Sequence, residues 1–450
     1  LKPSFWSSGL TGQRSTSRPA ARWRTALPLA VVLFFGLGIW LAQGKSSWSE
    51  LLSVGGAHDP MPWRLVMDPQ QPAPALPDSP EPMVRQIYQH LGEGQRQEAL
   101  AVAQHLATAY PTFQLGQLLY ADLLNIGLLE PVDGPEVAQE VLPAAKKRLE
   151  ELLRETTRRL YHPPLPQIQD RIPSGLLHLD PTQHPYVAFV DVSHSRLYWF
   201  ANRSDAQGLP RLELLMDTYI SVGSQGVGKS REGDGRTPLG VYFIKKSLSG
   251  DTLPDLFGAG ALTLNYPNAV DLMRKRTGSG IWLHGTPSAQ YSRAPEATDG
   301  CVVLSNPEMS RLLALGSLRL TPVLIGREIE WQQPTQADAE RGPLMSRLQA
   351  WNQARLQDND SVLRSHYSDR FQRDGLGMDH WWPKLKASVR SRTPLKPLTL
   401  VSALRWQDEE DLMVVTWQDP NRSSSQRNEY LRNYWVKDGG RWKIVFEGPA

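Results

Sequence analysis

Gly280-Ile-Trp-Leu-His284-Gly-Thr-Pro287, followed by Thr298-Asp-Gly-Cys301-Val-Val-Leu304, is the stretch on which the fold and chemistry of this chain turn. An apolar, strand-like run ends at His284, and 17 positions later stands Cys301, the only cysteine. A lone thiol is most often a small buried hydrophobe. Three features favour a nucleophile here. An unpaired thiol in an oxidising compartment is a liability unless it is used. A histidine at this separation can return across a hairpin into hydrogen-bonding reach. Gly300 lets the chain turn tightly at the cysteine and aim backbone N–H groups into the site. A thiol nucleophile needs a base to make thiolate and donors for the developing oxyanion.

Outward from this stretch, between about Ser174 and Glu330, apolar residues recur with a period of two. Tyr186–Asp191, Arg196–Phe200, Leu212–Val222, Gly240–Ile244 and Thr321–Ile325 read as strands separated by Gly, Pro, Asn and Asp. The domain, residues 170–330, is mostly β. Within it Gly223-Ser-Gln-Gly-Val-Gly-Lys-Ser230 satisfies the pattern of a phosphate-binding loop. A true one opens a helix at the lysine. Here Arg231–Gly240 holds three Gly and one Pro, so no helix starts and nucleotide binding is rejected. His178, His184 and His194 are too scattered to suggest a metal site, and no cofactor is implied.

Gln332–Arg341 reads as a polar joint. Residues 340–450 begin with an amphipathic helix, Leu344–Leu356, and end in strands at Leu398–Trp406, Leu412–Trp417, Glu429–Lys437 and Arg441–Glu447. That order suggests a small α+β cone, with Trp381 and Trp382 either in its core or lining a groove for glycan. Upstream, residues 83–165 form a helical module in which Ala99-x3-Ala103 and Pro111 match half of a tetratricopeptide repeat, a possible docking place for a protein partner. A charged helix from about Gly134 to Tyr161 closes it. Residues 51–82, with eight prolines from Pro60 to Pro82, form an extended tether.

Residues 1–50 speak to location. Five basic residues (Lys2, Arg14, Arg18, Arg22, Arg24) precede the uncharged run Ala26–Ala42. At 1.5 Å per residue this run spans about 26 Å as a helix, close to a bilayer core of roughly 30 Å. With the positive flank it reads as a single membrane anchor or a signal peptide, and the rest of the chain is expected outside the cytoplasmic membrane. The formal charge of +3 over 450 residues comes from this arm, which carries five positive charges; the remainder is slightly acidic and offers nothing to a nucleic acid. A hydrophobic content of 40% excludes disorder throughout, and one cysteine excludes a disulfide framework.

Residues 186–325 resemble the L,D-transpeptidase catalytic domain of the YkuD type. Its signature is His-Gly-x, a gap of about 14 to 17, then [Ser/Thr]-His-Gly-Cys. His284-Gly285-Thr286 matches the first half, and Thr298, Gly300 and Cys301 match the second. Glu232–Gly240 and Leu264-Asn-Tyr266-Pro-Asn268 resemble that family's substrate-cleft segments. Asp299 stands where the signature has its second histidine, and Val303 where many members carry arginine. The resemblance implies Cys301 as nucleophile, His284 as base, and the Gly285 carbonyl orienting the imidazole. It implies amides around Gly300 and Cys301 as oxyanion donors. Arg236, Arg274 and Arg293 are the candidates to hold the substrate carboxylate. The implied substrate is a peptidoglycan stem tetrapeptide that loses D-Ala to form a thioester. An amine acceptor then completes transpeptidation, or water completes L,D-carboxypeptidation. Residues 340–450 resemble, through Tyr434-Trp435 and Trp442–Phe446, the nuclear-transport-factor-2-like domain attached to cell-shape-determining members. The expected architecture is therefore multidomain α+β: N-terminal transmembrane segment, helical module, mostly β catalytic domain, C-terminal cone.

Overall fold

The computed structural model describes residues 79–125, 138–160, 171–204, 210–357, 359–390, 395–407, 409–421 and 429–450. The basic arm and the apolar run 26–42 lie outside them. No described helix is long and apolar enough to cross a membrane. Two compact units divide the chain, Leu1–Gly56 with Leu129–Leu149, and Ala57–Leu128 with Glu150–Ala450. Of the first, only the helical residues 138–149 are described, and the second holds every sheet.

Pro82 sits in the first turn of α1 (Glu81–Gly92), where its missing N–H costs nothing. Gly94, at φ +75°, turns the chain into α2 (Arg96–Ala109), and Pro111 separates that helix from α3 (Gln114–Asn125). Val84, Ile87, Ala99, Ala103, Leu106, Phe113, Leu119 and Leu123 form a buried core, to which α4 (Ala138–Leu160) adds Leu152. Each fully buried large apolar side chain contributes roughly 1.5–3 kcal/mol.

The β-rich part is built on β1 (Leu176–Leu179), β2 (Tyr186–Asp191), β3 (Arg196–Ser204), β4 (Pro210–Tyr219), β5 (Gly240–Ser249), β6 (Gly260–Leu264), β7 (Trp282–His284), β8 (Val302–Val303) and β9 (Pro322–Gly326). Eight of these make one sheet in the order β8-β7-β6-β5-β9-β2-β3-β4. Central strands are covered on both faces, so Val187-Ala-Phe-Val190 is buried throughout instead of alternating. Ile220 and Ser221 interrupt the run expected as one strand from Leu212 to Val222, and Val222–Gly223 pairs separately with Glu296–Thr298.

Two expectations need correction. The polar joint 332–341 is helical from Pro334 onward: α6 (Pro334–Ala354) follows α5 (Asn306–Ala314), with Pro334 tolerated in the first turn. And β1, expected within the catalytic domain, instead completes the C-terminal sheet. That sheet runs β13 (Arg441–Pro449), β12 (Tyr430–Asp438), β11 (Asp411–Gln418), β10 (Thr399–Gln407), β1. Its side chains alternate between two cores. Leu404, Trp406, Leu412, Val414, Tyr434, Val436 and Val445 join the core of the eight-stranded sheet. Ala403, Met413, Val415, Trp417, Trp435 and Ile444 face the cone, with α6 and α7 (Met378–Arg390) packed over them. Trp381 and Trp382 pack against that cone core, Trp381 stacked on Phe371 at 6.3 Å.

Candidate active site

His284 ends β7 and Cys301 immediately precedes β8, the parallel strand beside it. Val303 pairs with His284 and Val302 with Leu283, so Cys301 falls in register with Trp282. On that geometry Cys301 and His284 share one face of the sheet, with Cα atoms about 8 Å apart. Cys301 is half-buried, and its S–H donates to the Gly280 carbonyl at 3.4 Å.

His284 is 4% exposed, with the Phe257 ring at 5.0 Å. Its Nδ1 lies 2.7 Å from the Gly285 carbonyl oxygen. A carbonyl can only accept, so Nδ1 carries the proton and Nε2 keeps a free lone pair. Burial pushes the imidazole down to about 4, against the pull of the Gly285 carbonyl, and the Arg293 charge lowers it further. Burial also pushes the Cys301 thiol up. The Asp299 charge adds to that, while the Trp282 amide, Lys229 and Arg293 oppose it. At neutral pH the pair is therefore thiol and neutral imidazole.

Asn306, which the sequence reading did not single out, staples the turn after the histidine. Its Oδ1 accepts from Ala259 N at 2.8 Å and Thr286 N at 3.2 Å, and its Nδ2 donates to the Thr286 carbonyl at 2.8 Å. The available signal was its place behind Ser305, whose N–H meets Glu308 in a helix-opening capping box.

Gly300 sits at φ +124°, and a Cβ there would come 2.5 Å from the Arg236 carbonyl oxygen. The expectation that its N–H faces an oxyanion is corrected. That N–H donates to Thr298 Oγ1 at 3.1 Å, and the Thr298 hydroxyl donates to the Cys301 carbonyl at 2.8 Å. A threonine two residues before a glycine makes this local bond readily, which is the signal that was missed. Thr237 Oγ1, donating to the Gly300 carbonyl at 3.0 Å, holds the turn from the other side.

That threonine belongs to the glycine-rich loop after Gly223, which opens no helix. Lys229 is 3% exposed and paired with Asp234 at 2.9 Å. Burial raises the Asp234 carboxyl, but the Arg231 and Ser230 amides and Lys229 outweigh it and hold the group well below the carboxylate range.

Of the remaining nominated residues, Asp299 is exposed next to Gly300 and acts electrostatically on Arg293 and Cys301. Arg293 is half-buried, and its charge is felt by Cys301 and His284. Arg236 is exposed and donates from Nη1 to the Val227 carbonyl at 2.9 Å. Two others are engaged elsewhere. Tyr266 is buried, bonded to the Thr277 carbonyl at 3.1 Å, and lines a cleft against the C-terminal sheet. Arg274 pairs with Glu410 at 2.7 Å. Among the described residues no group of three or more His, Cys, Asp or Glu side chains is arranged to hold a metal ion.

Residues 185–325 match the family model of the YkuD L,D-transpeptidase catalytic domain. That match covers about a third of the chain. Bd1075 from Bdellovibrio bacteriovorus is a structural neighbour of it at 26% identity and a TM-score of 0.51, covering 62% of this chain and 98% of that one. The helical cell shape determining protein Pgp2 from Campylobacter jejuni shares 19% identity at a TM-score of 0.48, over 61% of this chain and 94% of its own. An NTF2-like protein of unknown function from Pseudomonas putida KT2440 aligns at 14% identity and a TM-score of 0.19, over 24% of this chain and 84% of its own. No curated protein matches the chain significantly. The matched segment spans the eight-stranded sheet and both halves of the His–Cys stretch.

Proposed function

We propose that this protein is a peptidoglycan-modifying L,D-transpeptidase that works through Cys301. The observation that carries this reading is the Gly285 carbonyl holding Nδ1–H of His284, which leaves Nε2 as the base on the same sheet face as the thiol.

The Cys301 S–H proton passes to His284 Nε2 as sulfur attacks the carbonyl joining the L-centre of the stem diamino acid to the terminal D-Ala. The C–N bond breaks, the imidazolium returns the proton to the departing D-Ala amine, and a thioester remains. An acceptor amine then attacks the thioester and gives its proton to His284. The C–S bond breaks, the amide cross-link forms, and the proton returns to sulfur. Gly285 positions the ring throughout. The Trp282 amide and the Lys229 and Arg293 charges favour the thiolate as it forms. Arg293 is the best placed of the candidate arginines to hold the stem-peptide carboxylate, because its charge reaches the thiol while Arg274 is consumed by Glu410. The substrate lies outside the cytoplasmic membrane, and the arm and apolar run 1–42 support delivery there.

Incubation of the protein with defined tetrapeptide muropeptides, with products resolved by mass, tests the reading. Cross-linked dimers with loss of D-Ala are expected. Tripeptide monomers alone would reassign the thioester to water, and unchanged substrate would overturn the enzyme reading. Cys301→Ala should abolish turnover.

A further inference from the structure

The loop from Thr286 to Thr298 joins His284 to Cys301, and three consecutive residues in it are each pinned, two by the helical module and the third by Tyr219 at the end of β4. The Tyr291 ring enters the core of the helical module, edge-on to Tyr110 and Phe113 at 5.4 Å each, and its N–H donates to the Thr112 carbonyl at 3.1 Å. The Ser292 hydroxyl donates to Glu155 Oε1 on α4 at 2.6 Å. The Arg293 carbonyl accepts from Tyr219 Oη at 2.8 Å, and the Tyr219 ring lies under the Arg159 guanidinium of α4 at 3.9 Å.

These anchors are themselves locked. Arg159 pairs with Glu155 and with Glu81 of α1, both at 2.9 Å. Glu81 also meets Arg196 of β3 at 2.8 Å, and Arg196 holds Asp217 of β4 at 2.7 Å. The network is buried, with Arg159 and Arg196 side chains 4% and 2% exposed. Breaking one member of such a network leaves charge without a partner, so the arrangement moves as a unit or not at all. What the loop presents in return is the Arg293 side chain, half-buried and free of any ion pair among the described residues.

We propose that the helical module is a working part of the active site: Tyr291 and Ser292, clamped by α2–α4, are positioning residues that keep the Arg293 guanidinium beside Cys301. This rests on the cysteine-enzyme reading above and deepens it. The module does not touch the reacting atoms. It fixes a cation free to meet a substrate carboxylate, whose charge also favours the Cys301 thiolate.

The test uses the full chain with Ser292→Ala, the conservative Ser292→Thr, and Arg293→Ala. Losing a hydrogen bond to a charged group should raise KM for the tetrapeptide about tenfold with kcat nearly unchanged. Ser292→Thr should restore it. The effects of Ser292→Ala and Arg293→Ala should not add, since both remove the same guanidinium from its place. The pH profile of Cys301 alkylation should move upward in Ser292→Ala, because the cation that favours thiolate is less well held. Full additivity, or unchanged KM and alkylation profile in Ser292→Ala, would overturn the proposal. If the wild-type protein leaves muropeptides unchanged, the cross-linking reading fails. The alkylation profile still decides the positioning claim, a shift sustaining it and no shift refuting it.

Discussion

Gly285 offers the ring beside it one group, a carbonyl oxygen, and that determines which nitrogen of His284 holds the proton. Because burial lowers this histidine to about 4, the base form is lost only as pH falls through that value. The kcat/KM profile is therefore expected to stay level down to about pH 5 and to fall through about 4; an acid limb near 6.5 would contradict the assigned environment. Gly300→Ala puts a Cβ against the Arg236 carbonyl at a φ that L-residues avoid. Backbone strain alone is about 1–3 kcal/mol. Lower Tm and loss of turnover together are expected, and a variant with wild-type Tm and turnover would refute this account of the turn. That His284 and Cys301 come to neighbouring strands was legible because few residues separate them and their residue types are chemically restrictive. That Arg274 is taken by an ion pair was not, since a positive charge in a sequence says nothing of the carboxylate waiting for it. Glu410, which takes Arg274, is more than a hundred residues away.

At the scale of elements, α3 carries a liability. Asp122 is 6% exposed, and burial raises its carboxyl from 3.8 to about 7. The folded chain therefore binds this proton more readily than the unfolded chain. The cost of the charged form is absent below the unfolded value and grows as pH rises toward the folded one, reaching on the order of a few kcal/mol. Asp122→Asn is expected to raise Tm at pH 8, with the gain shrinking toward pH 4. Equal gains at both would show that the carboxyl is not the cause. The helices and long strands were readable from periodicity and from their glycine and proline stops. The four-residue β1 was not: its alternating pattern fits either sheet, and nothing local says that Ser402 and Ala403 will be its neighbours.

Across the whole molecule, the C-terminal sheet is a wall shared by two cores. The transpeptidase and C-terminal parts should accordingly melt together in calorimetry. Leu404→Ala, at a fully buried position of that wall, should shift the single transition by about 2–5 kcal/mol without splitting it. Two separated transitions in the wild-type protein would contradict the shared core. The same long-range logic explains why the tie between α4 and the 291–293 loop lay beyond reach of the sequence: a serine and a glutamate 137 positions apart carry no mark of each other.

Intact-protein mass spectrometry after rapid mixing with a tetrapeptide substrate and acid quench goes most directly to the thiol. A tripeptide-acyl adduct is expected on the wild-type chain, mapped to the peptide containing Cys301, and none on Cys301→Ala. An adduct that persists in Cys301→Ala, or D-Ala release with no acylated cysteine at any quench time, would contradict the account.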